Sequence, residues 1–333
     1  MELQRKQMHG MLNKKIQKVS VIILTYNQMD YLYDAIKSVL NQDYPNIELI
    51  VSDDASCNFQ KGMLEKFIEE NKTDNIKNTI IIVNSSNVGT VKNINGALKK
   101  CTGDIIMPLA SDDVFYDKTI VSKVVDRFEK TGCQILSCSK QLCDSTLRKK
   151  IRLMPHPAYY IFLRKRKTAE KQFHAMAMGQ TYEFASGAAL YYTKSYIEEC
   201  SAYDESYLLW EDGPFLARAT RNGVQVEMAY DIISILYRDG GISSAKKSNT
   251  KSKLYKDYCR INTQEFLAYQ ARFTKHELRI IEGKQKMIEN ANEYSLAFGI
   301  RYLDAFLYNF YLRCMKGGAR LLYKIRKGDW SEI

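Results

Sequence analysis

Two pairs of adjacent aspartates each follow a short apolar run. Asp53-Asp54 comes just after Ile47 to Val51, and Asp112-Asp113 comes just after Asp104 to Leu109. Neighbouring carboxylates repel each other unless a cation is present, and Mg²⁺ or Mn²⁺ binds carboxylate oxygens and often shares them with substrate phosphates. Aspartate also serves turns and helix caps, so each pair taken alone leaves a purely structural role open.

A third acidic pair, Glu211-Asp212, precedes a helical apolar pattern that includes Phe215, Leu216 and Ala219. Capping of that helix would account for either carboxylate. The position also suits a catalytic base, because the positive end of the helix dipole helps to keep a carboxylate ionised. An ionised carboxylate can take the proton of a hydroxyl group while the hydroxyl oxygen attacks a substrate carbon. The pair therefore either caps the helix or supplies a catalytic base, with the other carboxylate beside it.

The elements that must position the first two pairs alternate between strand and helix. Apolar, β-branched runs predict the strands, and helical spacing predicts the segments between them. The predicted strands are 19–24, 47–51, 79–83 and 104–109, and the predicted helices are 29–40, 63–70 and about 91–101. This order predicts an α/β fold with a doubly wound, mostly parallel sheet. Such sheets bind ligands at the carboxyl ends of their strands, where both pairs would lie.

The phosphate-binding loops of two common nucleotide folds are missing from the sequence. No G-x-G-x-x-G follows the first strand, and no G-x-x-x-x-G-K-[ST] occurs anywhere. The expected ligand is therefore a nucleotide whose phosphates are neutralised by a metal and by side chains. A sugar-phosphate nucleotidyltransferase stays open as an alternative, although Thr25-Tyr26-Asn27 is not the glycine-rich, basic loop expected after its first strand.

Positive charge is concentrated in the last quarter of the chain. The 333 residues carry a net charge of +11, and from Ser244 onward there are 18 Lys/Arg against 9 Asp/Glu. We predict a leader at 1–17, a catalytic domain at 18–243 and a basic, mostly helical region at 244–333. The basic region suits an anionic membrane surface, but also packing on the catalytic domain or on a second subunit. Gly317-Gly318 is predicted to end one of its helices.

Composition also bears on localisation and partners. Residues 1–18 lack the apolar centre of a secretory leader, and no apolar run reaches the roughly 18 residues that span a bilayer. Eight cysteines without metal-binding spacing predict free thiols in a reducing compartment. We therefore expect a cytoplasmic protein, soluble or peripheral on the inner face of the membrane. Nucleic acid is not expected as a partner, because it gives no reason for the three acidic pairs.

Several segments, taken in order, resemble the family 2 glycosyltransferases. They are Val19–Asn27, Ile50–Ser56, and Asn87-Val88-Gly89 through to Ser111-Asp112-Asp113. The resemblance covers roughly residues 18–243 and implies an inverting enzyme of the GT-A fold. It further implies a nucleotide-sugar donor, usually a UDP-sugar, with Mn²⁺ or Mg²⁺ as the cofactor.

The resemblance also implies a role for each matching residue. Asp113, with Asp112 beside it, would bind the metal. Asp212 would be the catalytic base, and Glu211 would support it or contact the acceptor. The residues that would contact the donor nucleotide are Thr25, Tyr26, Asn27, Asp53, Asp54, Lys92, Asn95, Ser111, Asp112 and Arg238. The residues that would border the sugar and the acceptor are Ser186, Gly187 and Trp210.

Together these residues predict a metal-dependent inverting glycosyltransferase. It would move a sugar from a nucleotide-sugar to a hydroxyl of a glycan or lipid-linked oligosaccharide, in the synthesis of capsule or another surface polysaccharide. Two departures from the family bear on the metal, since Ser111 stands where a first aspartate often sits and Gly240 where relatives commonly carry a histidine. A non-catalytic, glycosyltransferase-like partner subunit is the remaining alternative. The sugar, the acceptor and the oligomeric state, including a homo-oligomer, are left open.

Overall fold

The computed structural model of the chain describes residues 17–179, 187–240, 248–289 and 296–327. The predicted leader lies outside these ranges except for its last residue. Four parallel strands form the first half of the sheet, in the order β3-β2-β1-β4. They are β1 (Val19–Thr25), β2 (Ile47–Asp53), β3 (Ile76–Val83) and β4 (Ile105–Ala110). The prediction of a parallel arrangement in this half is confirmed.

Helices cover both faces of these strands, which is why β1 and β2 are apolar and buried almost throughout. Val21 and Ile23 point to the face covered by α1, α2 and α4, whereas Ile22 points to the opposite face, against α3. The four helices are α1 (Met29–Leu40), α2 (Lys61–Asn71), α3 (Thr90–Leu98) and α4 (Ile120–Thr131). The fold is therefore doubly wound, as predicted.

Beyond β4 the sheet becomes mixed. Its full order is β3-β2-β1-β4-β8-β6-β9-β5, with β7 paired to β6. β8 runs antiparallel between β4 and β6, whereas β6 and β9 are parallel. The strands of this half are β5 (Val114–Phe115), β6 (Ile135–Cys143), β7 (Lys150–Met154), β8 (Leu190–Thr193) and β9 (Val226–Arg238). Because β5 pairs with β9 at Leu236, residues 111–113 come close to Arg238.

Short helices connect the strands of this half. The helix predicted after Glu211 is present as α8 (Asp212–Arg221). The helices are α5 (Tyr160–Leu163), α6 (Ala169–Ala177), α7 (Lys194–Glu199) and α8 (Asp212–Arg221). Two 3₁₀ turns, Pro157–Tyr159 and Gly187–Ala189, complete the connections.

The C-terminal region is helical, as predicted. It comprises α9 (Ser248–Ile261), a π-helical turn (Asn262–Phe266), a 3₁₀ turn (Leu267–Arg272), α10 (Lys275–Glu289), α11 (Leu296–Arg301) and α12 (Leu303–Lys327). Ile261, Phe266 and Ile280 share one buried cluster with Phe173 and Phe215, which precede this region. The helices therefore pack on the sheet-containing part of the chain, and the domain boundary at 243/244 stays a prediction.

The prediction that Gly317-Gly318 ends a helix is wrong, because α12 continues through both glycines. Neither residue has the left-handed backbone that ends many helices. Ala305 before them and Ala319 after them are both buried, so the helix is packed on either side of the pair. Among the described helices, none has the length and apolar character needed to cross a membrane.

Candidate functional site

Asp113 lies at the carboxyl-end edge of the sheet, directly before β5. Its Oδ1 accepts a hydrogen bond from the backbone N–H of Arg238, the last residue of β9, at 3.1 Å. Its own N–H donates to the carbonyl of Ala110 at the end of β4, also at 3.1 Å. The β5–β9 pairing therefore brings together two predicted site residues that are 125 positions apart.

The second carboxylate oxygen of Asp113, Oδ2, is buried and has no hydrogen-bond partner within the described ranges. Burial, and then the charge of Asp112, raises the pKa of Asp113 well above its usual range. An ionised carboxylate is costly in such a place unless a cation lies against it. Asp113 is thus unsatisfied by the protein alone.

Glu48, on β2, is a buried carboxylate in the same sheet whose hydrogen-bonding capacity is met by protein groups. It accepts hydrogen bonds from Lys18, Ser20 and Thr102 at 2.6–2.9 Å. Burial alone would raise the pKa of Glu48, but these hydrogen bonds lower it to about 2. The contrast with Asp113 indicates that the carboxyl-end edge is prepared for a ligand rather than for internal packing.

Ser111 and Asp112 complete the loop that carries Asp113. The hydroxyl of Ser111 donates to Oε1 of Gln28 at 3.0 Å, so it serves the scaffold of the loop. Asp112 is half-buried; burial raises its pKa, and the charge of Arg238 and a hydrogen bond from Gln28 oppose that rise. Of the three residues, Asp113 keeps a carboxylate oxygen without a partner in the described ranges, whereas the hydroxyl of Ser111 is already engaged; their predicted roles at a donor site, and that of Asp112, stay predictions.

Arg238 is buried against this loop, and its guanidinium is engaged with protein groups. Nε donates to the carbonyl of Asp112 at 2.7 Å, and the two terminal nitrogens donate to the carbonyl of Ser145 and to Oδ2 of Asp34 at 2.8 and 2.9 Å. The ring of Tyr31 lies 4.3 Å from the guanidinium carbon. These contacts make Arg238 a positioning residue for the loop, and its contact with a donor diphosphate stays a prediction.

Asp53 and Asp54 reach the same edge but already bind the scaffold. Asp53 accepts hydrogen bonds from the N–H and the hydroxyl of Ser56. Asp54 accepts from the backbone N–H groups of Val88 and Gly89 at 2.8 and 2.9 Å, just before α3. Because an ionised carboxylate has about four acceptor positions, both can still bind a ligand. Their predicted contact with the donor nucleotide is compatible with this geometry and stays a prediction.

The segment after β1 offers an exposed aromatic ring. Tyr26 is 48% exposed. Asn27 has left-handed backbone (φ 53°), and it is fixed by hydrogen bonds to Ser56 and Cys57. The hydroxyl of Thr25 is buried without a partner among the described residues. An exposed ring next to an unsatisfied hydroxyl suits the base of a nucleotide, which has an apolar face and a polar edge.

The side chain of Asn95, which is predicted to contact the donor nucleotide, bonds to the backbone of Tyr203, and its contact with a donor stays a prediction. Its side-chain amide donates to the carbonyl of Tyr203 at 2.8 Å and accepts from the N–H of the same residue at 3.1 Å. Asn93, about 200° around the helix from Asn95, faces the edge and accepts from the hydroxyl of Ser52 at 2.6 Å. Lys92 is exposed in the first turn of α3, so its predicted contact with a diphosphate stays open.

Asp212 is the first residue of α8 and is held by a backbone N–H group. Gly187 donates to its Oδ2 at 2.7 Å. A Cβ atom at position 187 would lie 2.8 Å from that oxygen, so this close approach requires glycine. Gly187 therefore lies against Asp212, and its predicted position beside the sugar and the acceptor stays a prediction. Ser186, predicted beside it, lies outside the described residues.

The segment before the acidic pair is fixed from the C-terminal region. The backbone N–H groups of Leu208, Leu209 and Trp210 all donate to the buried carboxylate of Asp257 on α9, at 2.8–3.1 Å. A Cβ atom on Gly213 would lie 2.5 Å from the indole of Trp210, so the ring packs directly on the first turn of α8. Asp257 is a positioning residue that the sequence did not indicate, because its partners are 47–49 positions away.

Glu211 and Asp212 have different environments, and these affect the pKa values of the two carboxyl groups differently. Burial raises the pKa of both, and the charge of Asp212 raises that of Glu211 further. The rise at Asp212 is opposed by the N–H of Gly187 and by the charge of Lys140. A proton shared by the pair therefore resides on Glu211, and Asp212 is the member able to act as a base.

Lys140 is a functional candidate that the sequence analysis missed. It lies on β6, a strand buried along its whole length, with its ammonium 4.0 Å from the ring centroid of Tyr237. Burial lowers the pKa of Lys140, while the carboxylates of Asp113 and Asp212 raise it. One buried cation is thus stabilised by carboxylates from both acidic pairs, Asp113 and Asp212. A lysine inside a buried strand was the signal that could have identified it.

The residues present fit a hard divalent cation that shares its ligands with a substrate. Asp113 supplies an unpartnered buried oxygen, and Asp112 lies beside it. No cluster of three or more His, Cys, Asp or Glu able to hold a metal occurs in the described parts of the chain. The other ligands of Mg²⁺ or Mn²⁺ would therefore be phosphate oxygens and water. Gly240, where relatives commonly carry a histidine, has no side chain to contribute.

A protein-family comparison matches residues 20–191, just over half of the chain, to the family described as Glycosyl transferase family 2. A curated relative is the GalNAc(5)-diNAcBac-PP-undecaprenol beta-1,3-glucosyltransferase of Campylobacter jejuni. It is 26% identical over 281 residues, which cover 78% of this chain and 84% of that protein. For three other curated relatives, all of them glycosyltransferases by name, the match covers less than half of the relative's own length.

Two solved structures share the fold. S. aureus TarS 1-349 in complex with UDP-GlcNAc has a TM-score of 0.59 at 16% identity, covering 95% of this chain and 93% of that one. The mannosyltransferase PcManGT from Pyrobaculum calidifontis, in complex with GDP-Man and Mn²⁺, has a TM-score of 0.56 at 16% identity, covering 98% and 90%. At this identity the likeness establishes the fold alone, and with it the predicted GT-A architecture.

Proposed function

The chain belongs to glycosyl transferase family 2, and on that premise we propose that it is a metal-dependent, inverting glycosyltransferase. The observation that carries the proposal is the shared cation. Lys140 interacts with Asp113, whose buried oxygen has no partner among the described residues, and also with Asp212, the ionised member of the second pair. The two carboxylates therefore act electrostatically on one buried cation, which supports a site in which Asp113 would help to bind the diphosphate and Asp212 would act as the base.

The inferred reaction is a single displacement at the anomeric carbon of the donor sugar. The acceptor hydroxyl gives its proton to Asp212 while its oxygen bonds to the anomeric carbon. The bond from that carbon to the diphosphate oxygen breaks on the opposite face, and its electron pair leaves with the diphosphate. Asp113 and Asp112 would hold a divalent ion, which when bound supplies positive charge against the leaving diphosphate. Glu211, protonated, can donate a hydrogen bond to the acceptor.

The donor we propose is a UDP-sugar. One fold neighbour binds UDP-GlcNAc and another binds GDP-Man together with Mn²⁺, so both ligands contain a nucleoside diphosphate and a divalent ion accompanies one of them. The exposed ring of Tyr26 and the unsatisfied hydroxyl of Thr25 would receive the base. A lipid-linked or polysaccharide acceptor is proposed from the Campylobacter jejuni relative, whose name specifies an undecaprenol-linked glycan.

Donor hydrolysis tests the proposal without knowledge of the acceptor. The purified chain is incubated with UDP- and GDP-sugars, with Mn²⁺ or with EDTA, and release of the nucleoside diphosphate is measured together with calorimetric binding. We expect slow, Mn²⁺-dependent release from at least one UDP-sugar. If no donor binds or is cleaved under any of these conditions, the proposal is wrong.

Replacement of Lys140 by Met is expected to lower the transfer rate by about 10- to 100-fold. Removal of the ammonium also raises the pKa of Asp212, because one of the charges that keeps it ionised is lost. The base must be ionised to act, so the acidic limb of the pH–rate profile should move to higher pH. Donor hydrolysis measured against pH records both effects.

Lys150→Met is the matched control for this variant. Lys150 is on the adjacent strand β7, and its ammonium lies 4.8 Å from the ring centroid of Tyr116, but the residue is exposed. We expect this variant to keep the wild-type pH profile. A Lys140→Met enzyme whose acidic limb does not move would refute the assigned coupling to Asp212.

A further inference from the structure

An apolar stripe runs along the exposed side of α12. Its large residues form two groups, 303–311 and 321–325, and at 100° per residue both groups lie within about 120° around the helix, which is one helix face. They are Leu303 (51% exposed), Leu307 (56%), Phe310 (67%), Tyr311 (52%), Leu321 (52%), Leu322 (69%) and Ile325 (53%). Ile300 of α11, 67% exposed, precedes the stripe. A helix of 25 residues extends about 37 Å, so the exposed face is long as well as apolar.

The other side of α12 is packed on the protein. Ala305 and Ala319 are buried, and Tyr308 and Tyr323 pack against the core cluster that also contains Phe173. Asp304, in the first turn, receives the guanidinium of Arg279 on α10 at 2.7 Å. The helix is therefore held in place by its inner face, and the stripe faces away from the rest of the described chain.

Charge along α12 has a single sign after its first turn. From 305 to 327 the helix contains six Lys/Arg and no Asp/Glu. Their positions are Arg313, Lys316, Arg320, Lys324, Arg326 and Lys327. At 100° per residue, the first four lie along one flank of the apolar stripe. The exposed apolar surface is thus bordered by cations.

We propose that α12 docks on an anionic phospholipid surface, with the stripe in the acyl–headgroup boundary and the flanking cations on the headgroups. Charge complementarity selects this occupant. A second copy of the helix would place a second row of positive charge near the first, whereas anionic headgroups carry the opposite charge. The proposal does not depend on the catalytic chemistry inferred above, since it rests on a different part of the chain.

Vesicle binding by the full chain tests this proposal. Co-sedimentation is measured with vesicles of phosphatidylcholine alone and of phosphatidylcholine with phosphatidylglycerol, at low and high salt. We expect binding to the anionic vesicles that weakens with salt. Arg313→Gln with Arg320→Gln should weaken it by about 10- to 30-fold. Leu307→Gln, Leu321→Gln and Ile325→Gln together should weaken it by at least about 100-fold.

Two further measurements keep the outcomes distinct. Met63→Gln, at a residue 60% exposed on α2, is the control for loss of an apolar side chain elsewhere and should bind like the wild type. Sedimentation velocity without vesicles reports self-association. Unchanged vesicle binding by the stripe variant, or a dimer that the stripe variant disrupts in a chain that binds no vesicles, would overturn the proposal. Donor hydrolysis of the stripe variant should equal that of the wild type, so failure here is separate from failure of the proposed reaction.

Discussion

Asp212→Asn is expected to abolish most sugar transfer while leaving donor binding intact. The amide keeps the shape of the side chain but cannot accept the acceptor's proton, and general-base catalysis contributes about 10²- to 10⁴-fold. The donor nucleotide is expected to bind at the other acidic pairs, so its calorimetric affinity should stay within about two-fold of the wild type, a change of less than about 0.5 kcal/mol. Weakened donor binding with retained turnover would show that the base is misassigned.

The pH dependence of the reaction gives a second readout of the same residue. Burial raises the pKa of Asp212 above the usual carboxyl range, so the rate should fall on acidification at a pH above that range. The charge of Asp212 raises the pKa of Glu211, so Glu211 keeps its proton and is neutral in the pH range where Asp212 titrates. Glu211→Gln replaces one neutral group by another and should therefore leave the acidic limb in place. A limb that moves to lower pH would show that Glu211 carries a charge there and would contradict the assignment of the shared proton to Glu211.

The Asp113→Asn variant should lose metal-dependent donor binding without losing folding stability. We expect the variant to lose Mn²⁺-dependent donor binding by at least about 100-fold, since even outer partners of metal ligands contribute about 10- to 100-fold. The metal-free variant should be as stable as the wild type or more stable by about 0.5–2 kcal/mol, because a buried, uncompensated carboxylate has been replaced by a neutral amide. Thermal unfolding with and without Mn²⁺ and UDP measures both.

Glu48→Gln is the matched control for a buried carboxylate in the same sheet. Glu48 is satisfied by Lys18, Ser20 and Thr102, so replacement of its charge should cost about 1–3 kcal/mol of unfolding free energy. Its effect on Mn²⁺-dependent binding should be small. If Asp113→Asn destabilises the protein as Glu48→Gln does and still binds Mn²⁺ with the donor, Asp113 is a structural residue and the metal site lies elsewhere.

Local sequence patterns predicted the first half of the fold, because the burial of each strand or helix there sets the apolar pattern within that element alone. The apolar run of β1 and the helical spacing of α1 follow from burial on two faces and on one face, respectively. Gly317-Gly318 failed as a helix end, since packing on both sides of the pair outweighs the weak helix propensity of glycine. The helix continues through the two glycines because of tertiary contacts, which a short stretch of sequence does not show.

The acidic residues of the site were accessible from sequence, but the groups that set their properties were not. Asp113 and Asp212 stand out as carboxylates at the ends of predicted elements. Lys140 and Asp257 act on them through strand pairing and helix packing over long separations, which no spacing in the sequence encodes. The hydrogen bonds between Asn95 and the backbone of Tyr203 join residues 108 positions apart, and no local pattern indicates them either.

The anomeric configuration of the released sugar tests the central claim most directly. With water in place of the acceptor, proton NMR can follow hydrolysis of a UDP-α-sugar by the enzyme loaded with diamagnetic Mg²⁺, and the first-formed sugar is observed before it mutarotates. A single displacement assisted by Asp212 predicts that the β-anomer appears first and that Asp212→Asn suppresses it. The α-anomer appearing first would contradict the account, because retention requires a second displacement that this arrangement of residues does not provide.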